Sequence, residues 1–273
     1  MRRRLPFSTI LFIVLFSGIG FVNAASADAL RIGGMGSGMA MLPVLFSAFD
    51  PQKKATLEVV PSLGSSGGLR ALNDGALDIA VVGRELKAEE VAQGLTVAAT
   101  ARTPFVLVSS KAQPGDFKSS EMANIFGSQK SSWADGAPIK IILRPKSDTD
   151  TAALAANFPG MAQTLEGLRQ RTDIPTAATD QDNANLAESI PGSLTASTLT
   201  QILMEKRDLH FVSIDGVAPS IETFESGQYK YAKSVYFVLS AKKTDLATRF
   251  VAFLRSPQGK AALRMAGNLQ GTE

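Results

Sequence analysis

The sequence contains the stretch Pro61-Ser62-Leu63-Gly64-Ser65-Ser66-Gly67-Gly68, which lies between a predicted strand at 57–60 and a predicted helix that begins at Leu69. Glycine lets the backbone adopt positive φ angles and lets a ligand approach the main chain closely. The N-terminus of a helix carries unpaired N–H groups and a partial positive charge, so it attracts anions. The stretch therefore predicts an anion site at a strand-to-helix turn.

The same stretch has two other interpretations. A turn rich in glycine and serine is common before a helix and often binds nothing. The order Gly64-Ser65-Ser66-Gly67-Gly68 also fits the G-x-S-x-G pattern of serine hydrolases, with Ser66 as the nucleophile and His210 as the base. We favour the hydrolase less, because His210 stands at the start of a predicted strand, where a mobile base is unexpected.

The N-terminal residues predict an export signal. Arg2, Arg3 and Arg4 precede an apolar run at 5–22, and small residues at 24–27 offer cleavage sites after Ala24 or Ala27. A permanent anchor is the alternative, because about 18 apolar residues lie at the lower limit of a membrane-spanning helix. Serine, threonine and glycine interrupt the run, which favours cleavage. We therefore expect a signal peptide at 1–24 and a periplasmic protein.

Composition excludes several kinds of site and partner. The formal net charge of +3 falls to 0 without residues 1–24, which hold three arginines and no acidic residue. The basic character thus gives no support for binding to nucleic acid or to a membrane surface. The sequence has no cysteine and one histidine, which excludes disulfides, thiolate ligands and a multi-histidine metal site. We expect no cofactor and no metal.

Two further turns have the same character as the first. Residues 33–38 are rich in glycine and lie between the first predicted strand and an apolar helical pattern at 39–49. Residues 144–151 are polar and lie between a predicted strand and an alanine-rich helix. Strands that alternate with helices across such turns predict an α/β fold with parallel strands.

Taken in chain order, these turns resemble those of the phosphate-binding proteins of bacterial ABC importers. The resemblance covers nearly the whole chain after the leader. It implies a two-lobed α/β fold of the periplasmic binding protein type, with a ligand cleft between lobes that crossing strands join. The first lobe would comprise 28–105 and 230–273, and the second 106–229. The matching residues are Gly36-Ser37-Gly38, Gly64-Ser65-Ser66-Gly67-Gly68, Asp78-Ile79-Ala80, Arg144 with Ser147-Asp148, Pro191-Gly192-Ser193 and Ser226-Gly227-Gln228-Tyr229.

The resemblance also implies which residues hold the anion. They are Ser37, Gly38, Met39, Ser65, Ser66, Gly83, Arg84, Arg144, Asp150 and Thr151. Met39 stands where the family usually has a threonine, and Gly83 stands where it has an aspartate that accepts the proton of phosphate. We expect Asp150 to supply this acceptor from the opposite lobe. The alternative is that Asp150 faces solvent and that Arg84 changes the anion preference.

The function that the resemblance implies is capture, not catalysis. The expected protein is a monomer that binds phosphate or a similar oxyanion and delivers it to the permease of an ABC importer. The alternative is an exported module that senses an anion and acts on a membrane partner. Both would have the same fold and pocket, so the sequence leaves them open.

Overall fold

The structure is a computed structural model that describes residues 28–61 and 63–271. The predicted signal peptide at 1–24 lies outside these residues. Within the described part of the chain, no helix combines the length and the apolar character that crossing a membrane requires.

Strands and helices are mixed along the whole described chain. The strands are β1 (Asp28–Gly34), β2 (Ala55–Val60), β3 (Ile79–Val82), β4 (Thr96–Ser109), β5 (Asp116–Phe117), β6 (Lys140–Ile141), β7 (Ser193–Thr198), β8 (His210–Phe211), β9 (Ser213–Ile214), β10 (Ala232–Leu239) and β11 (Leu269–Gln270). The helices are α1 (Gly36–Met39), α2 (Leu42–Phe49), α3 (Gly64–Asn73), α4 (Ala88–Ala92), α5 (Met122–Gly127), α6 (Thr149–Asn157), α7 (Met161–Leu168), α8 (Asp180–Ser189), α9 (Leu199–Met204), α10 (Ile221–Glu225), α11 (Asp245–Leu254) and α12 (Pro257–Met265).

A mixed sheet forms the centre of the molecule, with the strand order β2-β1-β3-β10-β4-β7-β6. As the sequence predicts, β1 runs parallel to β2 and β3, but β10 lies antiparallel between β3 and β4. Leu30, Ile32 and Ile79 are fully buried because α2, α11 and α12 cover this part of the sheet. The parallel strands end at the same edge, which is where α/β proteins bind ligands.

The long strand β4 connects the two halves of the molecule. It pairs with β10 up to Pro104 and with β7 from Phe105 onward. The half that contains β10 has a core around Phe250, and the half that contains β7 has a separate core around Phe126 and Trp133. This arrangement confirms the predicted two-lobed α/β fold.

The start of α3 differs from the prediction. The helix begins at Gly64 and not at Leu69, so the Gly-Ser-Ser-Gly-Gly segment is its first turn. Gly64 has a φ of 63°, which favours glycine. A Cβ atom at Gly68 would lie 2.7 Å from the Cα of Gly34 in β1, so glycine lets the helix approach the strand. Gly64 therefore starts the helix and Gly68 lets it pack against β1, although a segment so rich in glycine is typical of a turn.

Two other helix starts also differ. The predicted first helix is divided into α1 and α2, and Pro43 stands in the first turn of α2, where its missing N–H costs nothing. The sequence from Ala184 to Ser189 also predicts a helix, but α8 begins earlier, at Asp180. The hydroxyl of Thr179 accepts the N–H of Asp182 at 3.0 Å and so caps this earlier start.

Candidate functional site

A cavity of about 470 Å³ lies between the two lobes. The starts of α1 and α3 border it on the first lobe, and the loop before α6 and the start of α8 border it on the second. The parts of the chain that form it are the three turns singled out in the sequence, the cap of α8, Arg70 of α3 and Arg84 after β3. The lining side chains that matter for its chemistry are Ser65, Ser66, Arg70, Arg84, Arg144, Asp148 and Asp180.

The wall on the first lobe is the start of α3. Leu63 precedes the helix and offers no side-chain cap, so the first N–H groups of α3 lack a partner within the helix. The hydroxyl of Ser65 accepts the N–H of Gly83 at 3.0 Å, and the hydroxyl of Ser66 accepts from Nη2 of Arg84 at 3.3 Å. This wall combines two hydroxyls with the partial positive charge of a helix start.

Arg84 adds a charged group to this wall. Its guanidinium donates to both carboxylate oxygens of Glu90, at 2.7 and 2.8 Å. The hydrogen bond from Arg84 lowers the pKa of Glu90 to about 2, and the N–H of Lys87 contributes to the same effect. Arg70 also lines the cavity and forms no ion pair with the residues that the structure describes. On this wall, Arg84 is therefore paired with a carboxylate, whereas Arg70 forms no ion pair among the described residues.

On the second lobe, Arg144 is buried beneath the cavity. Its Nη1 donates to the carbonyl of Ala177 at 2.7 Å, and its Nη2 donates to Asp148 at 2.7 Å and to Asp180 at 3.2 Å. Its Nε is buried and has no hydrogen-bond partner in the described part of the chain. Arg144 is thus held in a fixed position by two carboxylates.

Three carboxylates gather around Arg144. Oxygen atoms of Asp148, Asp150 and Asp180 lie within 4.8 Å of one another, and the buried ammonium of Lys233 pairs with Asp150. With three acids and two bases, this cluster has a formal charge of −1. Burial, and next the charge of Asp150, raises the pKa of Asp148 to about 6. Burial by itself lowers the pKa of Lys233, but the surrounding carboxylates outweigh it and raise this pKa.

Several contacts of this cluster join the two lobes. The N–H of Ser37 in α1 donates to Asp180 at 2.8 Å, and Nε2 of Gln181 donates to the carbonyl of Gly36 at 3.3 Å. The pair of Lys233 on β10 with Asp150 on α6 is a third link. At the start of α1, a carboxylate of the protein itself therefore takes a donor that the resemblance assigns to the ligand.

The structure brings some of the predicted site residues together at the cavity and places others behind it. Ser65, Ser66, Arg84 and Arg144 line the cavity. The hydroxyl of Thr151 donates to the carbonyl of Pro145 at 2.9 Å and so connects the first turn of α6 to the loop before it. The predicted residues that do not line the cavity are Ser37, Gly38, Met39, Gly83, Asp150 and Thr151.

Gly83 and Asp150 lie on either side of Lys233. A Cβ atom at Gly83 would stand 2.6 Å from Sδ of Met35, 3.0 Å from Oγ1 of Thr149 and 3.2 Å from Cε of Lys233. The aspartate that the family has at this place would therefore meet side chains that already fill it. Asp150 is 1% exposed, so the alternative in which it faces solvent is wrong.

Sequence reasoning missed Asp180 and Lys233 and did not assign Asp148 to the site. Asp148 belongs to the quoted motif before α6, and its side chain accepts the N–H of Asp150 as the cap of that helix. Lys233 is the second residue of β10 and lies on the same face as the buried Val235 and Phe237, and a lysine at a buried position of such a strand is the signal that could have identified it. Asp180 has only the cap residue Thr179 before it as a signal.

The hydrolase arrangement is not brought together. Ser66 lies at the start of α3 and accepts from Arg84. His210 lies on β8, pairs with Ser109 of β4 and does not line the cavity. Its Nε2 is 4.0 Å from the carboxylate of Asp208. Among the described residues, Ser66 therefore has no histidine beside it that could act as a base.

The sequence profile of the PBP superfamily domain matches residues 22–258, which is most of the chain. Comparison with curated protein sequences gives no match.

Solved structures provide a comparison of the fold. A chain from Clostridium perfringens crystallised with bound phosphate is 19% identical, with 90% of this chain and 100% of that chain covered and a TM-score of 0.72. A phosphate-binding protein from Stenotrophomonas maltophilia is 14% identical, with 90% and 91% covered and a TM-score of 0.63. An ABC-type phosphate transport receptor from Vibrio cholerae is 18% identical, with 89% and 100% covered and a TM-score of 0.57. At these identities the similarity establishes the fold alone.

Proposed function

The chain belongs to the PBP superfamily, and we propose that it is an exported solute-binding protein that captures phosphate or a similar oxyanion for an ABC importer. The observation that carries this proposal is the cavity between the lobes, where the uncapped start of α3 stands beside Ser65, Ser66 and Arg84. The names of similar structures, which include phosphate-binding and phosphate transport proteins, support the same ligand class.

The cavity supplies donors of the kind that an oxyanion needs. The first N–H groups of α3 and the guanidinium of Arg84 stand on one wall, and Arg144 lies beneath the other. Each charge-assisted hydrogen bond to a buried anion contributes roughly 1.5–3 kcal/mol. Ser65, Ser66, Arg84 and Arg144 are therefore the proposed ligand-binding residues, and Ser37, Gly38, Met39, Gly83, Asp150 and Thr151 are proposed to shape the site around them.

Export and transport complete the proposal. The leader at 1–24 would be removed, and the mature chain would act in the periplasm as a monomer that does no chemistry on its ligand. Its partner would be the permease of the importer. The lobes would be 28–105 with 230–273 and 106–229, and they would close on the ligand by a hinge motion as in other binding proteins of this kind.

Thermal unfolding with phosphate, sulfate and arsenate in turn tests the proposal. A ligand at a thousand times its dissociation constant adds about 4 kcal/mol of stability, which is roughly 8–16 °C in Tm for a chain of this size. We expect such a rise with at least one oxyanion and a much smaller rise in Arg84→Gln. The control is Arg171→Gln, whose partner Asp173 lies outside the cavity. If no oxyanion raises Tm, the proposal is wrong.

A further inference from the structure

The carboxylate of Asp180 lies between donors that come from both lobes. Asp180 is the first residue of α8 in the second lobe, lines the cavity and is 6% exposed. One of its oxygens accepts the main-chain N–H of Ser37 in α1 at 2.8 Å. The other accepts Nη2 of Arg144, in the loop before α6, at 3.2 Å. A single carboxylate therefore takes a neutral donor from the first lobe and a charged donor from the second.

The donors around Asp180 are of the kind that binds an oxyanion. Main-chain N–H groups and guanidinium groups form charge-assisted hydrogen bonds with carboxylate and phosphate oxygens alike. Arg144 lines the cavity, is 5% exposed and keeps one further donor, because its Nε is buried without a hydrogen-bond partner in the described part of the chain. Most buried polar groups in proteins have a partner. Arg144 therefore offers more hydrogen-bonding capacity than the carboxylates beside it use.

The first lobe makes room for the carboxylate of Asp180. A Cβ atom at Gly36 would lie 2.8 Å from Oδ2 of Asp180 and 2.7 Å from Oε1 of Gln181, so the glycine lets both side chains approach the main chain of α1. Nε2 of Gln181 also donates to the carbonyl of Gly36 at 3.3 Å, which connects the start of α8 to α1. The carboxylate of Asp180 is therefore held against the first lobe at the border of the cavity.

Asp148 also accepts from Arg144, but its contacts stay within one lobe. Its Oδ2 accepts Nη2 of Arg144 at 2.7 Å, and its Oδ1 accepts the N–H of Asp150 at 2.8 Å as the cap of α6. Both partners belong to the segment 144–150 of the second lobe. Asp148 therefore orients Arg144 within its own lobe, whereas Asp180 takes donors from both lobes.

We infer that Asp180 is an internal competitor of the ligand, because its carboxylate holds the place in which an oxyanion would receive donors from both lobes. This inference rests on the proposed function, since it concerns an oxyanion in the same cleft. The oxyanion is bound at the start of α3 with Arg84, shares Arg144 with Asp180 and does not receive the N–H of Ser37. Asp180 is thus a specificity-determining residue: it disfavours a bare tetrahedral oxyanion, which has oxygen atoms on all sides, because one side faces a carboxylate.

Calorimetric titration of the purified protein with inorganic phosphate tests this role. Asp180→Ala removes the carboxylate and leaves the N–H of Ser37 and Nη2 of Arg144 to the ligand, while the pair of Lys233 with Asp150 still joins the lobes. We expect Asp180→Ala to bind phosphate at least about tenfold more tightly than the unaltered protein, since one charge-assisted hydrogen bond suffices for such a change. Asp180→Ser, whose side chain ends one bond earlier than that of aspartate, is the second variant in case the first does not fold.

Two further variants separate the place of the carboxylate from its charge. Asp180→Asn loses the charge but keeps an oxygen that can accept the N–H of Ser37, and Asp148→Asn loses a charge beside Arg144 within the second lobe. Both change the net charge around Arg144 by the same amount as Asp180→Ala. We expect both to bind phosphate at least about tenfold more weakly than Asp180→Ala does. A purely structural role of Asp180 would instead lower the affinity for phosphate in every variant of this residue.

Formate gives a second readout, because it consists of the carboxylate group that Asp180→Ala removes. We expect sodium formate to raise the Tm of Asp180→Ala above its value in sodium chloride of the same ionic strength. In the unaltered protein, where Asp180 holds the place, the two salts should give the same Tm. Equal Tm values of Asp180→Ala in the two salts would contradict the inference.

The outcomes separate this inference from the proposed function. If Asp180→Ala binds phosphate no more tightly than the unaltered protein does, the inference is wrong and the oxyanion function stands. If Asp180→Asn or Asp148→Asn gains as much affinity as Asp180→Ala, charge and not place is decisive, and the inference is wrong. If Asp180→Ala binds phosphate and the unaltered protein binds neither phosphate, sulfate nor arsenate, the inference is supported and the proposed function is wrong. If neither the unaltered protein nor any variant binds an oxyanion, both are wrong.

Discussion

Asp148 is a half-buried carboxylate of the cavity with a raised pKa. Its pKa rises from the ordinary 3.8 to about 6, first because it is buried and second because Asp150 is close. A carboxyl group with a raised pKa stabilises the folded state when it is protonated, so its contribution is complete below about pH 4 and is lost as the pH rises through 6. We expect the free energy of unfolding to fall by on the order of 2–3 kcal/mol across this window and to fall less in Asp148→Asn.

Urea unfolding at a series of pH values from 4 to 7 measures the slope of the free energy of unfolding against pH. The pKa of Asp180 is also raised, by burial and then by Asp150, so the slope in Asp148→Asn should be reduced and not abolished. Asp173→Asn is the control, because the hydrogen bond from Arg171 lowers the pKa of Asp173 and its contribution is lost only at lower pH. Equal slopes in Asp148→Asn and in the unaltered protein would contradict the prediction.

Lys233 and Asp150 give a second prediction for single residues. Their side chains are 3% and 2% exposed, and removing one partner of a buried ion pair costs about 3–5 kcal/mol because the other charge stays unpaired. We expect a loss of this size in Lys233→Met and the recovery of most of it when Asp150→Asn is added. Urea unfolding measures both. The control is Lys243→Met, at an exposed position, which should change stability by less than about 0.5 kcal/mol. A double variant no more stable than Lys233→Met would oppose this account.

These residues also mark how far the site could be predicted from the sequence. Ser65, Ser66 and Arg144 are found at the cavity because each stands in a turn with a recognisable pattern, and Arg84 was identified through the family resemblance alone. The partners of the carboxylates could not be found in this way. Ser37 and Asp180 are 143 positions apart, and Lys233 and Asp150 are 83 apart. Such contacts depend on how the lobes meet, and no local pattern carries that information.

Among the elements, α3 decides the geometry of the cavity, and Gly68 decides how closely α3 approaches β1. A Cβ atom there would lie 2.7 Å from the Cα of Gly34, which is main chain and cannot give way easily. We expect Gly68→Ala to displace the helix, to lower the free energy of unfolding by about 1–3 kcal/mol and to weaken ligand binding.

Gly67→Ala is the matched control in the same helix. Its Cβ would have ordinary contacts, 3.5 Å from Leu63 and 3.8 Å from Arg70. Because alanine favours a helix over glycine by about 0.5–1 kcal/mol, this variant should be as stable as the unaltered protein or more so. Urea unfolding of the two variants side by side measures the difference. If Gly68→Ala is as stable as Gly67→Ala, the close approach does not limit the position of α3.

Elements whose apolar residues recur at a clear helical spacing were predicted well, whereas elements that depend on pairing with distant parts of the chain were not. The helical spacing of apolar residues at 245–254 and 258–265 predicts two helices, and α11 and α12 lie there. The strand β4 runs over Thr96–Ser109, although the apolar run at 103–108 is the only part of it whose sequence pattern predicts a strand. Its first half contains alanine, threonine and Arg102 at half-buried positions, which weaken the strand pattern. Pairing with β10 on one side extends it.

For the whole molecule, β4 belongs to the packing of both lobes. We expect the lobes to unfold together in one transition, because neither keeps a complete sheet without this strand. Trp133 makes this testable, since it is the only tryptophan in the sequence and lies in the core of the second half, stacked on Phe117 at 5.4 Å. Its fluorescence reports one lobe, whereas far-UV circular dichroism reports both.

The two signals should have the same urea midpoint. Trp133→Phe is the control for the dichroism signal, because it keeps an aromatic ring next to Phe117 and leaves the helices unchanged. A fluorescence midpoint that differs clearly from the dichroism midpoint would show that the lobes unfold independently.

The pair of Lys233 with Asp150 also has a consequence for the timing of capture and release. Arg70 is exposed at the cavity, so its attraction for an incoming anion acts through water and is weakened by salt over a distance of about 8 Å. The ion pair is buried, so the proposed opening of the lobes would require both of its charges to regain water. We therefore expect added salt to slow the arrival of the ligand and to leave its release nearly unchanged, so that the surroundings set the rate of filling and the buried ion pair sets the rate of emptying.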